Sequence, residues 1–470
     1  MFKGSLRAVK LIVCATGFLL ALCVLRSTAQ TAELESRPTL FQDGDRVVFA
    51  GDSITHGGMW HVYISDYYLT RFPGRHILFS NGGIAGDTAK GALQRFDRDI
   101  LRDHPNRAVV MLGMNDMGLD YAQSPSPSQV KAQNWAVANY RTNMIKLLND
   151  FAAKHISVIV VTPSPFDETT RIKAPNFPGK NEALARASDF LHVLAAKRHL
   201  PLVEFHKPMT ALNLQLQKSD PMATLCGKDR VHPGDPGYLV MAALFLKAQD
   251  APAEVDSVSI KLPNPGLVQA DNCRVTNLDI QDDGLKFDYL PKSLPFPLST
   301  NIQGTAALVD FNSTLNREML RVEGLSGKQY ELTINGMRIG TFDITNFSAG
   351  INLATLDTPM QLAAAKVVEL NHKRAGLGFQ LRNLEWFGIQ LDHMGISRDD
   401  VAAIKSRREE LINSPQAKPS MPFFQQQLDF YVQEKPKEAA TRKAIAKLTA
   451  AIEDLLQVTN TFHFELRRVS

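Results

Sequence analysis

Ser53 and His232 are two residues whose types and surroundings suit the hydrolysis of an acyl ester. Ser53 ends a Gly-Asp-Ser triplet directly after an apolar run, although a serine at such a place more often only caps a helix. Asp229 precedes His232 by three residues, so its carboxylate can reach Nδ1 within one loop and leave Nε2 free to take a serine proton. This pattern predicts Ser53, His232 and Asp229 as catalytic residues.

Two further segments can supply hydrogen-bond donors to a developing oxyanion. Gly86 lies in a glycine-rich stretch that suits either a tight loop or a backbone N–H aimed at such an oxygen. Asn115 follows an apolar run, where an asparagine is often a turn former, but its side-chain amide is also a donor. Donors of this kind typically contribute about 3–4 kcal/mol each. The predicted oxyanion hole comprises the Ser53 N–H, Gly86 and Asn115.

Short apolar runs between helical patterns predict how these groups come together. Runs at residues 47–50, 108–112, 158–161 and 202–205 are typical of parallel strands buried on both faces. Their alternation with amphipathic helices predicts a three-layer α/β domain. Ligands bind beyond the carboxyl ends of strands in open α/β sheets, and most of the motifs follow strands. We therefore expect the candidate groups to gather at that edge.

Four sequence blocks resemble those of the SGNH hydrolases, also called GDSL esterases or lipases. The blocks are Gly51-Asp52-Ser53, residues 81–88, Gly113-Met114-Asn115-Asp116 and Asp229-Arg230-Val231-His232-Pro233. The resemblance covers about residues 44–248 and implies a flavodoxin-like α/β/α fold. It implies Ser53 as nucleophile, His232 as base and Asp229 as its orienting partner, with Gly86 and Asn115 as oxyanion donors. It calls for no metal and no cofactor. A Gly-x-Ser-x-Gly nucleophile elbow is absent.

The chain divides into four predicted regions. Residues 1–29 have a basic start, an apolar run and small residues at the end, which predicts a signal peptide and a secreted or periplasmic protein. A retained membrane anchor is the rival interpretation. Residues 40–250 form the predicted hydrolase domain. Residues 251–358 are predicted to be β-rich, with a hairpin turn at Asn335-Gly336, and residues 359–470 to be helical.

The charge balance bears on possible binding partners, and the cysteines bear on a possible disulfide. The leader holds four of the 52 basic residues and no acidic one, so the remainder carries 48 of each sign. A formal charge of zero does not predict binding to nucleic acid. We also expect no stable insertion in a membrane after the leader is cleaved. The oligomeric state stays open. Outside the leader, Cys226 and Cys273 can form a disulfide or remain free buried thiols.

The substrate is predicted from what surrounds the motifs. No long apolar segment nearby suggests a lipid tunnel, so a polar open cleft with Trp60 and Phe166 as substrate-binding residues is expected. Such a cleft favours short-chain esters, notably acetyl groups on carbohydrate. One alternative is a lysophospholipase or acyl-thioesterase of the same family. Another is a carbohydrate-binding surface protein with a vestigial hydrolase domain, in which Trp386 and Tyr330 stack on sugars, although core packing is the commoner role of such rings.

A metallophosphoesterase is a third rival, since Gly51-Asp52, Asn115 and His232 superficially resemble ligands of a two-metal site. That class wants an Asp-x-His ahead of the Gly-Asp block, and no histidine precedes His56 in the chain. The sequence therefore favours a serine hydrolase over a metal-dependent one.

Overall fold

The computed structural model describes residues 37–263, 266–415, 417, 421–457 and 460–469. The predicted signal peptide, residues 1–29, lies outside these residues. Within them, no helix combines the length and the apolarity needed to cross a membrane.

Five parallel strands form the sheet that carries the predicted motifs. They are β1 (Arg46–Gly51), β2 (Leu78–Gly83), β3 (Arg107–Met111), β4 (Ser157–Val161) and β5 (Leu202–Val203). Their order is β2-β1-β3-β4-β5, and every pairing is parallel. The helices that connect and flank them are Ser53–His56, Trp60–Arg71, Ala89–Gln94, Pro127–Ala153, Lys180–Arg198, His206–Leu216 and Asp235–Ala248, with a π-helical turn at Phe96–Ile100. The predicted α/β/α fold is confirmed.

Apolar strand residues and the inner faces of these helices form one core. Its members include Val109 of β3 and Trp60, both without exposed surface. Residues from beyond position 250 join the same core, among them Phe296, Ile302 and Phe311. A segment of the following region therefore contributes to the core of the hydrolase fold. The domain boundary at residue 250 stays a prediction.

Two smaller sheets follow and share a second core. One has the order β13-β10-β6-β7 and consists of β6 (Glu254–Lys261), β7 (Leu267–Asp271), β10 (Arg317–Glu323) and β13 (Ile351–Asn352). The other has the order β12-β11-β14-β9-β8 and consists of β8 (Cys273–Gln281), β9 (Gly284–Pro291), β11 (Gln329–Ile334), β12 (Met337–Asp343) and β14 (Phe462–Arg468). The predicted hairpin is present, with positive φ at both Asn335 (51°) and Gly336 (75°).

Helices make up most of the rest of the C-terminal half. They are Thr300–Leu308, Phe311–Thr314, Ile344–Ala349, Pro359–His393, Val401–Ser406, Arg408–Ile412, Met421–Glu434 and Glu438–Gln457, with short 3₁₀ turns at Leu353–Thr355 and Lys435–Lys437. We call Pro359–His393 the long helix; it packs against Trp60–Arg71, β2 and Glu438–Gln457. Strand β14 then returns between β9 and β11. The region predicted as helical therefore ends in a strand of the β-rich region.

The two cysteines outside the leader are both free and buried. Cys273 lies in the second core, whereas the Cys226 thiol donates to the Pro165 carbonyl at 3.3 Å in the hydrolase domain. The structure therefore has free thiols at Cys226 and Cys273 and no disulfide between them.

Candidate active site

Ser53 is the first residue of a short helix that begins where β1 ends. The Asp52 carboxylate accepts the Ile54 N–H at 3.0 Å and so caps this helix. Burial raises the pKa of Asp52 to about 6. The turn needs glycine at position 51, because a Cβ there would lie 2.3 Å from Thr55 Oγ1. This packing fixes the backbone and leaves Ser53 itself partly exposed at the carboxyl edge of the sheet.

His232 lies between Ser53 and Asp229. Its Nε2 is 2.7 Å from Ser53 Oγ, and its Nδ1 is 2.5 Å from Asp229 Oδ2. The other oxygen of Asp229 accepts the N–H groups of Val231 (3.0 Å) and His232 (2.9 Å). The structure thus brings all three predicted catalytic side chains into one hydrogen-bonded row.

Electrostatics keep the Asp229 carboxylate charged. Burial raises the pKa of Asp229, but the hydrogen bonds from the His232 side chain and backbone outweigh it and lower that pKa to about 2. The hydrogen bond to Asp229 in turn raises the pKa of His232 above its ordinary value. An ionised carboxylate at Nδ1 leaves Nε2 as the proton acceptor that faces Ser53.

Arg230, which the sequence presents only as a spacer, fastens the loop that carries His232. Its backbone is left-handed (φ 69°) and its side chain is buried. The guanidinium donates to the carbonyls of Asp167 (2.9 Å), Thr170 (2.7 Å) and Ile172 (2.9 Å). The Asp167 N–H donates back to the Arg230 carbonyl at 3.1 Å. The loop with His232 is therefore pinned to the segment that follows β4.

The predicted oxyanion donors lie at the same edge. Among the hydrogen bonds of the described residues, none uses the backbone N–H of Ser53 or of Gly86. Asn115 donates one side-chain hydrogen to the Asp87 carbonyl at 2.9 Å, and an amide group has a second hydrogen to offer. Gly86 has a φ of 79°, and a Cβ there would meet nothing within 4 Å. Backbone conformation, rather than crowding, therefore favours glycine at this position.

The prediction that Trp60 and Phe166 line an open cleft is wrong. Both side chains have no exposed surface. The Trp60 ring packs edge-on against Phe49 (centroids 5.1 Å apart) and Phe205 (5.7 Å), and Phe166 packs against Phe177 (5.7 Å). A fully buried ring belongs to the core and cannot line an open cleft.

The aromatic residues suggested for sugar stacking differ in exposure. Tyr330 is buried in the second core, with 2% of its surface exposed. Trp386 is half-buried, and its indole N–H donates to the Ala85 carbonyl at 2.9 Å. Tyr330 is therefore a core residue, whereas Trp386 contacts the loop that contains Gly86.

The comparisons with known proteins agree with this geometry. A family model for GDSL-like lipases and acylhydrolases matches residues 49–240. The solved structure of a gut microbial diltiazem-metabolizing enzyme is 31% identical, with a TM-score of 0.83, and the match covers 93% of this chain and 100% of that one. The chain belongs to the SGNH (GDSL-like) hydrolase family. The predicted resemblance is confirmed, and the protein is a carboxylic ester hydrolase.

Two further comparisons match a smaller share of the chain. An acetylxylan esterase of Geobacillus stearothermophilus is 22% identical over 220 residues, which is 43% of this chain and 93% of that protein. A crystal structure of an acetylxylan esterase from the same organism is 20% identical and covers 44% of this chain and 95% of that one, with a TM-score of 0.37. More than half of this chain lies outside each of these two matches.

Proposed function

We propose that this SGNH hydrolase cleaves short-chain acyl esters, above all acetyl esters on carbohydrate, through an acyl-Ser53 intermediate, and that it acts outside the cytoplasm. The observation that carries the mechanism is the row formed by Ser53, His232 and Asp229 at an exposed sheet edge. The proposed location rests on the basic and apolar pattern of residues 1–29.

The row supports a two-step acyl transfer. His232 Nε2 takes the Ser53 proton while Oγ attacks the ester carbonyl carbon, and Asp229 stabilises the resulting imidazolium. The carbonyl oxygen becomes negative and is received by the N–H groups of Ser53 and Gly86 and the side chain of Asn115. Collapse breaks the ester bond, and the alcohol leaves with the proton from His232. Water then attacks the acyl-serine by the same route and releases the acid.

The openness of the site supports a short acyl group. The side chains of His232 and Asp229 are 44% and 54% exposed, so the reacting atoms face solvent. A large cavity of about 1110 Å³ does exist, but it lies between Trp60–Arg71 and the long helix, and its walls include neither Ser53 nor His232. The acetylxylan esterase relative supports acetyl groups on carbohydrate as the substrate class.

A chain-length series tests the acyl group. We expect kcat/KM for p-nitrophenyl esters not to rise from acetate to octanoate, because an open site gains no binding from the added methylenes. Rates are measured for the wild type, with Ser53→Ala giving the background. A preference for octanoate would contradict the short-chain proposal.

The alcohol is tested on natural and synthetic esters. Acetate release is measured from acetylated xylo-oligosaccharides and from acetylated bacterial glycans, alongside turnover of diltiazem, which a full-length relative metabolizes. Release from at least one glycan, at a kcat/KM above that for p-nitrophenyl acetate, would support the carbohydrate assignment. Turnover of diltiazem with no glycan cleaved would overturn it and favour small-molecule esters.

The pH profile tests the role of His232. Only the neutral imidazole accepts a proton, so kcat/KM should rise with pH through the pKa of His232 and then level off. The hydrogen bond with Asp229 raises this pKa. In Asp229→Asn that support is lost, so the acid limb should move to lower pH while the plateau falls. The profile is measured with p-nitrophenyl acetate, with Asp235→Asn, an exposed acid outside the row, as control. An acid limb at the same pH in Asp229→Asn would contradict the assignment.

A further inference from the structure

The long helix reaches the active site although it lies outside the segment that the family model matches. Arg382, Asn383 and Trp386 occupy one face of it, since positions three and four apart are neighbours on a helix. Each of these side chains leads to residues 83–87, directly or through one other side chain. We call residues 83–87 the oxyanion loop, because Gly86 is one of the proposed donors.

Both backbone polar groups of Ala85 are tied to the long helix. The Trp386 indole N–H donates to the Ala85 carbonyl at 2.9 Å. The Ala85 N–H donates to His56 Nδ1 at 3.0 Å, which leaves His56 Nε2–H to donate to the Asn383 side-chain oxygen at 3.1 Å. Burial lowers the pKa of His56 to about 3, so its ring stays neutral and Nδ1 stays an acceptor. Ala85, the residue just before Gly86, is thus held through both its N–H and its carbonyl.

A second connection runs through buried charges. Arg382 Nε donates to the Gly83 carbonyl at 3.1 Å, and its two terminal nitrogens bind the Asp99 carboxylate at 2.7 and 2.8 Å. Asp99 also accepts from Arg95 at 2.6 Å, and Arg95 binds the Asp87 carboxylate at 2.7 Å. These charged side chains are almost fully buried. Both ends of the oxyanion loop, Gly83 and Asp87, are therefore linked to the long helix.

The loop borders both non-serine donors of the proposed oxyanion hole. Gly86 belongs to it, and the Asp87 carbonyl accepts from the Asn115 side chain. Donors stabilise a transition state only when they already stand where the charge develops. A misplacement of about 1 Å is enough to cost about 10² in rate. Contacts that fix the loop should therefore affect kcat even though they touch no substrate.

We infer that Trp386 and Asn383 are positioning residues for ester hydrolysis, and that the long helix completes the active site by holding the oxyanion loop. This inference rests on the proposed acyl-Ser53 mechanism. Trp386 acts on Gly86 through the Ala85 carbonyl, and Asn383 acts on the same residue, Ala85, through His56 and the Ala85 N–H. The C-terminal half therefore contributes to catalysis by holding the oxyanion loop in place.

Trp386→Phe tests the inference, because it removes the N–H and keeps a ring that can pack on Phe423. We expect kcat for p-nitrophenyl acetate to fall about tenfold while KM changes by less than about twofold. The inhibition constant of a trifluoromethyl ketone, whose Ser53 adduct places a negative oxygen in the hole, should rise by the same factor. Inhibition by acetate, which lacks that geometry, should not change.

Phe423→Leu is the matched control. It removes the other ring of the Trp386–Phe423 pair (centroids 5.2 Å apart) and leaves the indole N–H in place. We expect a similar loss of melting temperature in the two variants, but wild-type kcat and ketone affinity in Phe423→Leu. Equal loss of kcat in both variants would mean that packing alone matters and would overturn the inference.

Asn383→Leu gives a second test that does not depend on Trp386→Phe folding. It removes the acceptor of His56 Nε2–H and should lower kcat and ketone affinity together, with KM retained. Suppose that Ser53→Ala is inactive but a folded Asn383→Leu or Trp386→Phe protein keeps the wild-type kcat. That result would overturn the positioning role and leave the acyl-Ser53 mechanism standing. Full activity of Ser53→Ala would instead overturn the mechanism beneath it.

Discussion

Replacing Ser53 with alanine is expected to lower kcat for acetyl ester hydrolysis by about 10⁴- to 10⁶-fold. The change removes the oxygen that His232 Nε2 faces at 2.7 Å, so the base has no nucleophile to activate. The fold should be unaffected, because Ser53 is partly exposed and the helix keeps its cap from Asp52 to the Ile54 N–H. Single-turnover kinetics with p-nitrophenyl acetate and a thermal melt measure both effects.

Ser164→Ala is the control for Ser53. Ser164 follows β4 as Ser53 follows β1, but it is 1% exposed, and its hydroxyl has no hydrogen-bond partner among the residues that the structure describes. We expect its kcat to stay within about twofold of the wild type. Acid-quenched wild-type protein should carry an acyl group on the peptide with Ser53. Wild-type activity in Ser53→Ala, or an acyl group on a different residue, would sink the proposed mechanism.

The sheet is predictable from the sequence to the extent that its strands are apolar. Strands β1, β3, β4 and β5 coincide with short apolar runs, as buried parallel strands do. The edge strand β2 (Leu78–Gly83) has no such pattern, because it ends in Asn81 and two glycines. A Cβ on Gly82 would lie 2.8 Å from Val48 Cγ2, and one on Gly83 would lie 2.3 Å from the His56 N. Glycine is needed at these two positions because neighbouring parts of the chain approach them closely, and strand propensity does not explain it.

The site is predictable where its chemistry is local. The contact between Asp229 and His232 spans three residues, so spacing alone suggests it. Trp60 fails as a prediction because nearness to a motif in sequence says nothing about which way a side chain points, and its ring points into the core. The contact between Trp386 and Ala85 spans 301 residues. No local pattern reports a contact of that length.

The C-terminal half shows the same limit at the level of whole elements. The alternating Phe462, Phe464 and Leu466 of β14 are buried in the second core between β9 and β11. The central strand of this five-stranded sheet thus follows nearly a hundred residues of mostly helical chain. Because this strand and the long helix both return to earlier parts of the chain, the C-terminal half and the hydrolase domain are packed as one structure.

Replacing His232 with alanine is expected to lower kcat/KM by about 10⁴-fold or more. The Ser53 hydroxyl would lose the acceptor at 2.7 Å, and Asp229 lies on the far side of the imidazole, too distant to replace it. His192→Ala is a matched control, because His192, in the helix Lys180–Arg198, forms an equally short pair with Glu204 (2.5 Å) away from the row. Steady-state kinetics should show wild-type activity in that control.

The double variant Ser53→Ala/His232→Ala tests whether Ser53 and His232 act together in one step or contribute to the rate independently. Since a base without its nucleophile does nothing, the double variant should be no slower than Ser53→Ala alone. Added imidazole should restore part of the rate to His232→Ala, where Ser53 is still present, and none to Ser53→Ala. Losses that multiply in the double variant would show that His232 acts on the ester by a route that does not pass through Ser53, and the acyl-serine mechanism would have to be abandoned.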